Sequence, residues 1–488
     1  MKYQKHEGFL VECDENTRQI DYDPVIPKCW TLPMPFPRNA DALLTAWFNR
    51  PGRKPLVLRG ARQTGKTTAV RRLAEAGPQF LELNLERHDD LSLIRTCHSA
   101  RDLLERLQQK HNLASLPKDT LIFLDEVQEH PEALKWLRFF YEDSPELAVV
   151  AAGSLLEVRL REETLPFPVG RVEFLRLEPL TFLEFLNATA DQRIAGDLRQ
   201  SFGNLGRAVE GVDEGLHALA MERLREFLLV GGLPEAVEVW RTTRNLIEVR
   251  RVHDALNQAY IEDLLKYGVR TGTRHLEAVL GNAPAHYGAR FKVRNLAPGE
   301  KDRRLSDALN LLEKAMVLYR VRPTSSRSLP LIPRSRAAHK LLPLDIGLAL
   351  SQLSVRPEHL AGRAIETLME GRLAEAFAGV QLLAASPEQS RRLCFWVREG
   401  HAKSNAEVDY LVPSLRGVLP VEVKSGAAGS LRSLHRFLAE AEGKLGIRLS
   451  ARPGGRQDLH VNLGQGRTLE YQLQSLPLYL AELVATLE

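Results

Sequence analysis

Cysteine is scarce in this sequence, and long hydrophobic runs are absent. Four of the 488 residues are cysteines, and no two of them form a C-x-x-C pair: Cys13, Cys29, Cys97 and Cys394. We interpret them as free thiols in a reducing compartment, and their spacing argues against a zinc site. No run approaches the roughly 18 apolar residues of a membrane-spanning helix, and the first residues lack the apolar core of a signal peptide. We therefore expect a cytoplasmic protein with no membrane association.

Charge is nearly balanced over the whole chain but not along it. The net charge is +4, whereas residues 241–340 contain 20 Lys and Arg against 9 Asp and Glu, a local excess of +11. The remainder therefore carries −7, which is +4 minus +11. This basic block favours contact with a polyanion such as DNA, although a solvated surface of arginine-rich helices would have the same composition.

Short apolar runs alternate with helical stretches in the first 185 residues. The runs occupy 55–59, 80–85, 120–124, 147–152 and 172–177. Because buried strands of parallel sheets have this composition, the sequence predicts an α/β fold with helices on both faces of a parallel sheet.

The pattern becomes helical beyond residue 185, and strands return near the C-terminal end. Helices are predicted at 215–229, 246–267, 304–315, 371–383 and 429–438. Strands are predicted at 317–321, 393–397, 407–412 and 418–423. The helices that precede the strand at 317–321, together with the Ser- and Pro-rich loop that follows it, predict a small helical domain ending in a β-hairpin.

A phosphate-binding loop follows the first apolar run. Residues 60–67 match the pattern G-x-x-x-x-G-K-[ST], with a predicted strand before and a helix after. Backbone amides of such a loop surround phosphates, and the helix N-terminus adds partial positive charge. The sequence thus predicts an ATP site formed by Gly60, Ala61, Arg62, Gln63, Thr64, Gly65, Lys66, Thr67 and Thr68.

Two acids at the end of a later apolar run complete the predicted site. Asp125 and Glu126 follow the run LIFL. We expect Asp125 and Thr67 to hold Mg²⁺, Lys66 to reach the β- and γ-phosphates, and Glu126 to deprotonate the attacking water. The alternative is an acidic helix start. Ser154, after the next run, can contact the γ-phosphate or cap a helix.

An arginine beside a strand of the sheet can contact the nucleotide that is bound to a neighbouring subunit. Arg171 precedes the predicted strand at 172–177 and is the first candidate for an arginine finger that reaches the partner's γ-phosphate. Arg159 and Arg161 are the alternatives, as is an ordinary surface role for Arg171.

Residues 36–240 resemble the AAA+ ATPase module of a large prokaryotic family. The resemblance lies in LVLRGARQTGKTT (56–68), LIFLDEVQE (121–129), AAGSLLEV (151–158), GRVEFLRLEPLTFLEF (170–185) and GGLPEAV (231–237). It implies a RecA-like sheet with a helical lid, and assembly into rings with ATP at the subunit interfaces. The sequence departs from the pattern at 231–237, where no arginine offers a second sensor.

The remaining chain resembles the winged-helix and PD-(D/E)xK nuclease-like domains of the same family. Asp409 and the triplet that runs from Glu422 to Lys424 form the D…E-x-K pattern on two predicted strands. Two carboxylates on adjacent strands can bind Mg²⁺, which activates water, while the lysine lies on the same strand face. Glu375 is a further predicted metal ligand. The alternative is that these are solvent-exposed strand ends.

The sequence therefore predicts five segments: an extension (1–35), an AAA+ core (36–185), a helical lid (186–240), a basic winged-helix-like domain (241–345) and a nuclease-like domain (346–488). We expect a Mg²⁺-dependent, homo-oligomeric ATPase that couples ATP hydrolysis to DNA binding and to metal-dependent cleavage through Glu375, Asp409, Glu422 and Lys424. The alternative is a non-cleaving, ATP-controlled switch whose last domain binds nucleic acid or a protein. A protein-remodelling motor ranks last, because no aromatic pore loop is evident between the strands at 80–85 and 120–124.

Overall fold

The computed structural model describes most of the chain from residue 36 onward. The described residues are 36–75, 77, 79–154, 156, 168, 170–189, 191–205, 211–267, 273–334, 338–355, 371–385, 393–398, 406–415, 417–424 and 430–487. The predicted extension at 1–35 and the alternative arginines Arg159 and Arg161 lie outside them. None of the helices in the described residues has the length and the apolar composition that a membrane span requires.

A five-stranded parallel sheet forms the first part of the structure. Its strands are β1 (Leu56–Arg59), β2 (Phe80–Asn84), β3 (Leu121–Asp125), β4 (Ala148–Gly153) and β5 (Glu173–Arg176). They are arranged in the order β2-β3-β4-β1-β5, and all neighbours are parallel. The prediction of a parallel sheet from the apolar runs is confirmed, with each strand within a residue or two of its predicted bounds.

Helices cover both faces of this sheet. They are α1 (Asn39–Asn49), α2 (Lys66–Glu75), α3 (His88–Arg95), α4 (Ala100–Lys110) and α5 (Ala133–Asp143), with a 3-10 turn at Val127–Glu129. Alternate residues of the central strands enter two separate cores. Ile122 and Leu124 pack in the core that includes α4 and α5, whereas Phe123 packs with α1 and α2. This is why the strands are apolar throughout.

A helical region follows the first sheet. It comprises α6 (Phe182–Ala188), α7 (Gln192–Leu205), α8 (Glu214–Val230), α9 (Pro234–Thr243) and α10 (Leu246–Tyr267). The predicted break at 231–234 separates α8 from α9. Gly231 has φ of 74°, and the Gly232 carbonyl accepts a hydrogen bond of 2.7 Å from the Leu180 amide. The turn therefore lies against the segment that leads out of β5.

A second sheet contains nine strands within the described residues. They are β6 (Arg290–Phe291), β7 (Leu318–Thr324), β8 (His339–Pro343), β9 (Cys394–Val397), β10 (Glu407–Ser414), β11 (Gly417–Lys424), β12 (Leu445–Ser450), β13 (Gly455–Gly464) and β14 (Arg467–Pro477). Their order is β13-β14-β12-β11-β10-β9-β7-β8-β6. The accompanying helices are α11 (Thr273–Asn282), α12 (Asp302–Lys314), α13 (Ile346–Gln352), α14 (Arg372–Ala384) and α15 (Arg432–Ala441). The 3-10 turns are Ala283–His286, Val293–Asn295 and Leu478–Thr486.

Strand β7 joins the two halves of this sheet. Its first residues pair antiparallel with β8, and its last residues pair parallel with β9. Beyond β9, strands β10 and β11 are antiparallel, whereas β11, β12 and β14 are parallel. The sheet is thus continuous across residue 345, where the sequence suggested a domain boundary.

Buried polar contacts tie the first sheet and its helices to the second. The Asp345 carboxylate accepts hydrogen bonds from the Gly232 amide (2.6 Å) and, as the cap of α13, from the Leu348 amide (2.8 Å). A Cβ at Gly231 would lie 2.0 Å from Asp345 Oδ1, so only glycine fits there. The Tyr319 hydroxyl also donates to Glu178 Oε2 at 2.5 Å.

Candidate nucleotide site

The predicted phosphate loop curls between β1 and α2. The Lys66 ammonium, 5% exposed, donates to the carbonyl oxygens of Gly60 (3.1 Å) and Ala61 (2.8 Å). Gln63 and Gly65 have φ values of 60° and 93°. A concave loop of this kind presents its amides inward, towards a space that suits a phosphate.

Close packing requires glycine at the start of the loop. A Cβ at Gly60 would lie 2.5 Å from the Leu177 carbonyl oxygen and 2.7 Å from Thr64 Oγ1. The Thr64 hydroxyl donates to the Ala61 carbonyl at 3.0 Å and holds the curl. The first glycine of the pattern is therefore needed for packing against the segment after β5.

Thr67 and Asp125, the predicted magnesium ligands, lie in contact. The Thr67 hydroxyl donates to Asp125 Oδ2 at 2.8 Å, and Asp125 is 1% exposed at the end of β3. Burial raises the pKa of Asp125 to about 6, against the opposing hydrogen bond from Thr67. Hydroxyl and carboxylate oxygens are suitable Mg²⁺ ligands when phosphates and water complete the shell, so these residues fit that ion.

Burial shifts the pKa of the loop lysine in the opposite direction from that of Asp125. It lowers the pKa of Lys66, while the nearby Glu126 and Asp125 carboxylates raise it in part. Within the described residues, the hydrogen bonds of this ammonium go to two backbone carbonyls, which carry no net charge. A phosphate placed in the loop would supply the missing anion.

Glu126 is held by a residue that the sequence did not point to. Glu126 has a left-handed backbone with φ of 51°, and its Oε2 accepts a 2.6 Å hydrogen bond from the Gln128 side-chain amide. Gln128 is 5% exposed, and a Cβ at Gly153 would lie 2.5 Å from its Oε1. Gln128 thus lies between Glu126 and the end of β4, where the buried Ser154 follows.

Residues from distant parts of the chain flank the loop. Arg38 donates to the Thr64 carbonyl at 3.3 Å, and the Tyr260 hydroxyl of α10 donates to the Arg62 carbonyl at 2.6 Å. The Arg62 guanidinium also forms an ion pair with Asp263. None of these partners had a sequence signal, because they are separated from the loop by 26 to about 200 positions.

Arg171 lies away from the loop of its own chain. It precedes β5, and β5 runs parallel to β1, so Arg171 is at the edge of the sheet opposite the phosphate loop. Its side chain is 45% exposed, and Nε contacts Glu142 Oε1 at 2.9 Å. Arg171 therefore cannot act in its own site without a large movement, and a role in a neighbouring subunit stays a prediction.

The C-terminal residues of the D…E-x-K pattern lie together, around a lysine that was not predicted. We call Glu375, Glu407, Asp409 and Glu422 the carboxylate cluster. The Lys340 ammonium contacts Glu375 Oε2 at 2.9 Å, Glu407 Oε1 at 2.8 Å and Asp409 Oδ1 at 3.2 Å. Lys424 contacts Glu422 Oε1 at 2.7 Å. The metal-binding role of Glu375, Asp409 and Glu422 stays a prediction.

Comparison with protein families assigns the first sheet. Residues 52–186 match the AAA domain, so the chain contains an AAA-type ATP-binding module over this range. Two further models, both described only as domains of unknown function, match residues 221–359 and 370–462. A search of curated proteins finds no match.

Solved structures with related folds are distant. A Walker-type ATPase of Pyrococcus abyssi is 15% identical, with a TM-score of 0.40, and the match covers 65% of this chain and 96% of that one. The Aeropyrum pernix ORC1 protein in complex with DNA is 14% identical (TM-score 0.25; 66% and 91% covered). The Thermotoga maritima RuvB Holliday junction branch migration motor is 17% identical (TM-score 0.25; 62% and 89% covered). At these TM-scores the resemblance carries no functional assignment.

The contact between Gln128 and Glu126 generates a prediction. Replacing Gln128 by Ala removes the donor that orients the Glu126 carboxylate, so we expect kcat for ATP hydrolysis to fall by about 10-fold or more while the KM for ATP stays unchanged. Steady-state kinetics with Gln109→Ala, an exposed glutamine on α4, as the control would measure this. Equal kcat for Gln128→Ala and the control would contradict a positioning role.

Proposed function

We propose that this protein is a Mg²⁺-dependent ATPase of the AAA+ class. The observation that carries the proposal is the convergence of Lys66, Thr67, Asp125 and Glu126 at the carboxyl edge of one parallel sheet. Lys66 would hold the β- and γ-phosphates, and Thr67 and Asp125 would hold Mg²⁺. The ion, when bound, neutralises charge on the phosphates.

Glu126 has the base role in this proposal. Glu126 directly follows Asp125, and its Oε2 accepts a hydrogen bond from Gln128, so its other carboxylate oxygen would take the proton of the attacking water. The nucleotide-binding loop residues Gly60 to Thr68 and Ser154 complete the pocket in the same proposal.

Removing the base tests the ATPase assignment. Glu126→Gln keeps the shape and the hydrogen-bonding capacity but cannot accept the proton, so turnover should fall by about 100-fold or more with ATP affinity retained. Lys66→Ala, by contrast, should lose ATP binding. Phosphate-release kinetics and fluorescent-nucleotide titration measure the two effects. Wild-type turnover in Glu126→Gln would rule out this mechanism.

We further propose a homo-oligomer in which Arg171 completes the neighbour's site. Support comes from the position of Arg171 just before the edge strand β5, at the end of the sheet opposite its own phosphate loop. An arginine that reaches a neighbour's γ-phosphate stabilises the charge that develops in the transition state. Arg171→Ala should then abolish hydrolysis and spare ATP binding.

Mixing two inactive variants tests this arrangement in trans. Arg171→Ala retains its own base, and Glu126→Gln retains its arginine, so a 1:1 mixture should recover roughly a quarter of the wild-type rate, since half of the Arg171→Ala sites face an intact neighbour. Arg138→Ala is the matched control, because Arg138 also pairs with Glu142. No recovery in the mixture, or full activity of Arg171→Ala alone, would remove the proposal.

Nucleic-acid binding by the winged-helix-like region is the third element. Several arginines of the basic block are paired internally, for example Arg320 and Arg322 with Glu313. Five basic side chains around the start of α12 are exposed: Lys292, Arg294, Lys301, Arg303 and Arg304. The buried face of α12 packs on the protein, so this basic surface points to solvent, where phosphates could bind.

Charge reversal on this surface tests the binding. For duplex DNA, Lys301→Glu with Arg303→Glu should weaken binding and reduce the slope of log K against log salt by about 2, one for each lost phosphate contact. The control carries the same charge change on the ATPase module, as Arg87→Glu with Lys118→Glu, which are also exposed. Fluorescence anisotropy across a salt series measures both. Equal slopes in the two variants would contradict this surface.

Two activities compete for the C-terminal domain. The proximity of Asp409, Glu422 and Lys424 on adjacent strands supports metal-dependent cleavage in a nuclease-like fold. The Lys340 ammonium, which already occupies the space between three of the carboxylates, supports the alternative. We therefore favour a non-cleaving switch, in which ATP controls assembly and this domain binds nucleic acid or a protein partner.

A further inference from the structure

Four neighbouring carboxylates, the carboxylate cluster, are a common arrangement for binding a divalent cation. The contacts of each carboxylate show whether this cluster suits such an ion. Four acids, Glu375, Glu407, Asp409 and Glu422, lie on one helix and two strands at the centre of the second sheet. Among the residues that the structure describes, no three His, Cys, Asp or Glu side chains are grouped as a metal ion would need. The acids are instead distributed around basic side chains.

Lys340 is buried among carboxylates and aromatic rings. Its side chain is 2% exposed, and its ammonium lies 2.8 to 3.2 Å from three carboxylates. The rings of Phe395 and Tyr410 lie 5.2 and 5.6 Å from the same nitrogen. Three anions and two aromatic faces are a complete environment for a buried ammonium.

Most of the carboxylate oxygens that a metal would need have other partners. Asp409 Oδ1 contacts Lys340, and Asp409 Oδ2 accepts a 2.8 Å hydrogen bond from the Val423 amide. Glu407 bridges Lys340 and, through Oε2, Arg290 at 2.9 Å. Glu422 Oε2 is buried with no hydrogen-bond partner among the described residues, but it does not replace the oxygens held by the ammonium. A metal would have to take Asp409 from a buried lysine and leave that charge under-compensated.

We infer that the carboxylate cluster is a metal-independent ion-pair centre whose cation is the Lys340 ammonium. The centre joins three elements of the second sheet and its cover: β8 through Lys340, α14 through Glu375, and β10 through Glu407 and Asp409. A second link has the same effect, because the Tyr410 hydroxyl donates to the Glu375 carbonyl at 2.6 Å. The domain then holds its shape without Mg²⁺ and does not cleave nucleic acid.

Metal binding to the unmodified protein is the first test. Nucleotide-free, full-length wild type and Asp409→Asn are titrated with Mn²⁺ and followed by electron paramagnetic resonance, and both are incubated with linear, circular and single-stranded DNA plus Mg²⁺ or Mn²⁺. We expect identical Mn²⁺ isotherms and no cleavage by either protein. One additional Mn²⁺ bound by wild type, or cleavage that Asp409→Asn loses, would overturn the inference. Omitting nucleotide keeps this result independent of the ATPase proposal.

A variant that removes the internal cation is the second test. Lys340→Met leaves three carboxylates facing one another, so Tm should fall by roughly 5 °C or more. Mn²⁺ should then raise the Tm of Lys340→Met, because the vacated space can accept a cation, and should not raise that of wild type or of Lys444→Met, an exposed control on the same domain. A Tm for Lys340→Met equal to that of the control would contradict the ion-pair centre. If Lys340→Met does not fold, the Mn²⁺ comparison of wild type with Asp409→Asn decides alone.

Discussion

The carboxylate of Asp345 makes the buried contact that holds the turn between α8 and α9 against the second sheet and its helices. It caps α13 and accepts the Gly232 amide at 2.6 Å, and the same turn contacts the ATPase module through the Leu180 amide. A buried amide left without its acceptor costs about 1–3 kcal/mol, so this turn has a strong preference for one position. Pro234, two residues on, is the nearest side chain to the position of a Cβ on Gly65 of the phosphate loop. The phosphate loop is therefore connected to the second sheet through a single turn, which contains Gly232 and Pro234.

Two buried lysines illustrate how the surroundings of a charge decide what it can do. Lys66 donates to two neutral carbonyl oxygens and burial lowers its pKa, so an incoming phosphate would improve its environment. Lys340 is paired with three carboxylates, so its environment is already complete and an added cation makes it worse. In our proposals the first lysine belongs to a binding site and the second to a structural link, although both have little exposure. Both side chains are cations, so it is the groups around each lysine that distinguish the two roles.

Local periodicity and motif spacing predicted much of this structure from the sequence. The five parallel strands, the bounds of α10 and the contact between Thr67 and Asp125 followed from apolar runs, helical patterning and the phosphate-loop pattern. Gln128, Arg38, Tyr260 and Lys340 could not be found in this way. Their partners are mostly far away in the chain, and Lys340 lies in a short buried strand, where a single sequence gives no sign of its three acids. The continuity of the second sheet across residue 345 was also hidden, since strand pairing between distant segments leaves no mark on either one.

The pairing of strand β7 limits how gene segments of such a protein can recombine. This strand pairs with β8 on one side and with β9 on the other, so the basic region and the C-terminal domain share backbone hydrogen bonds as well as side-chain contacts. A recombination event that replaced everything after residue 345 by a segment without a matching strand would leave residues 322–324 of β7 unpaired on one side, and exposed strand edges of this kind favour aggregation. Genetic shuffling would then succeed only when both segments moved together. We expect the two to diversify as a single evolutionary unit.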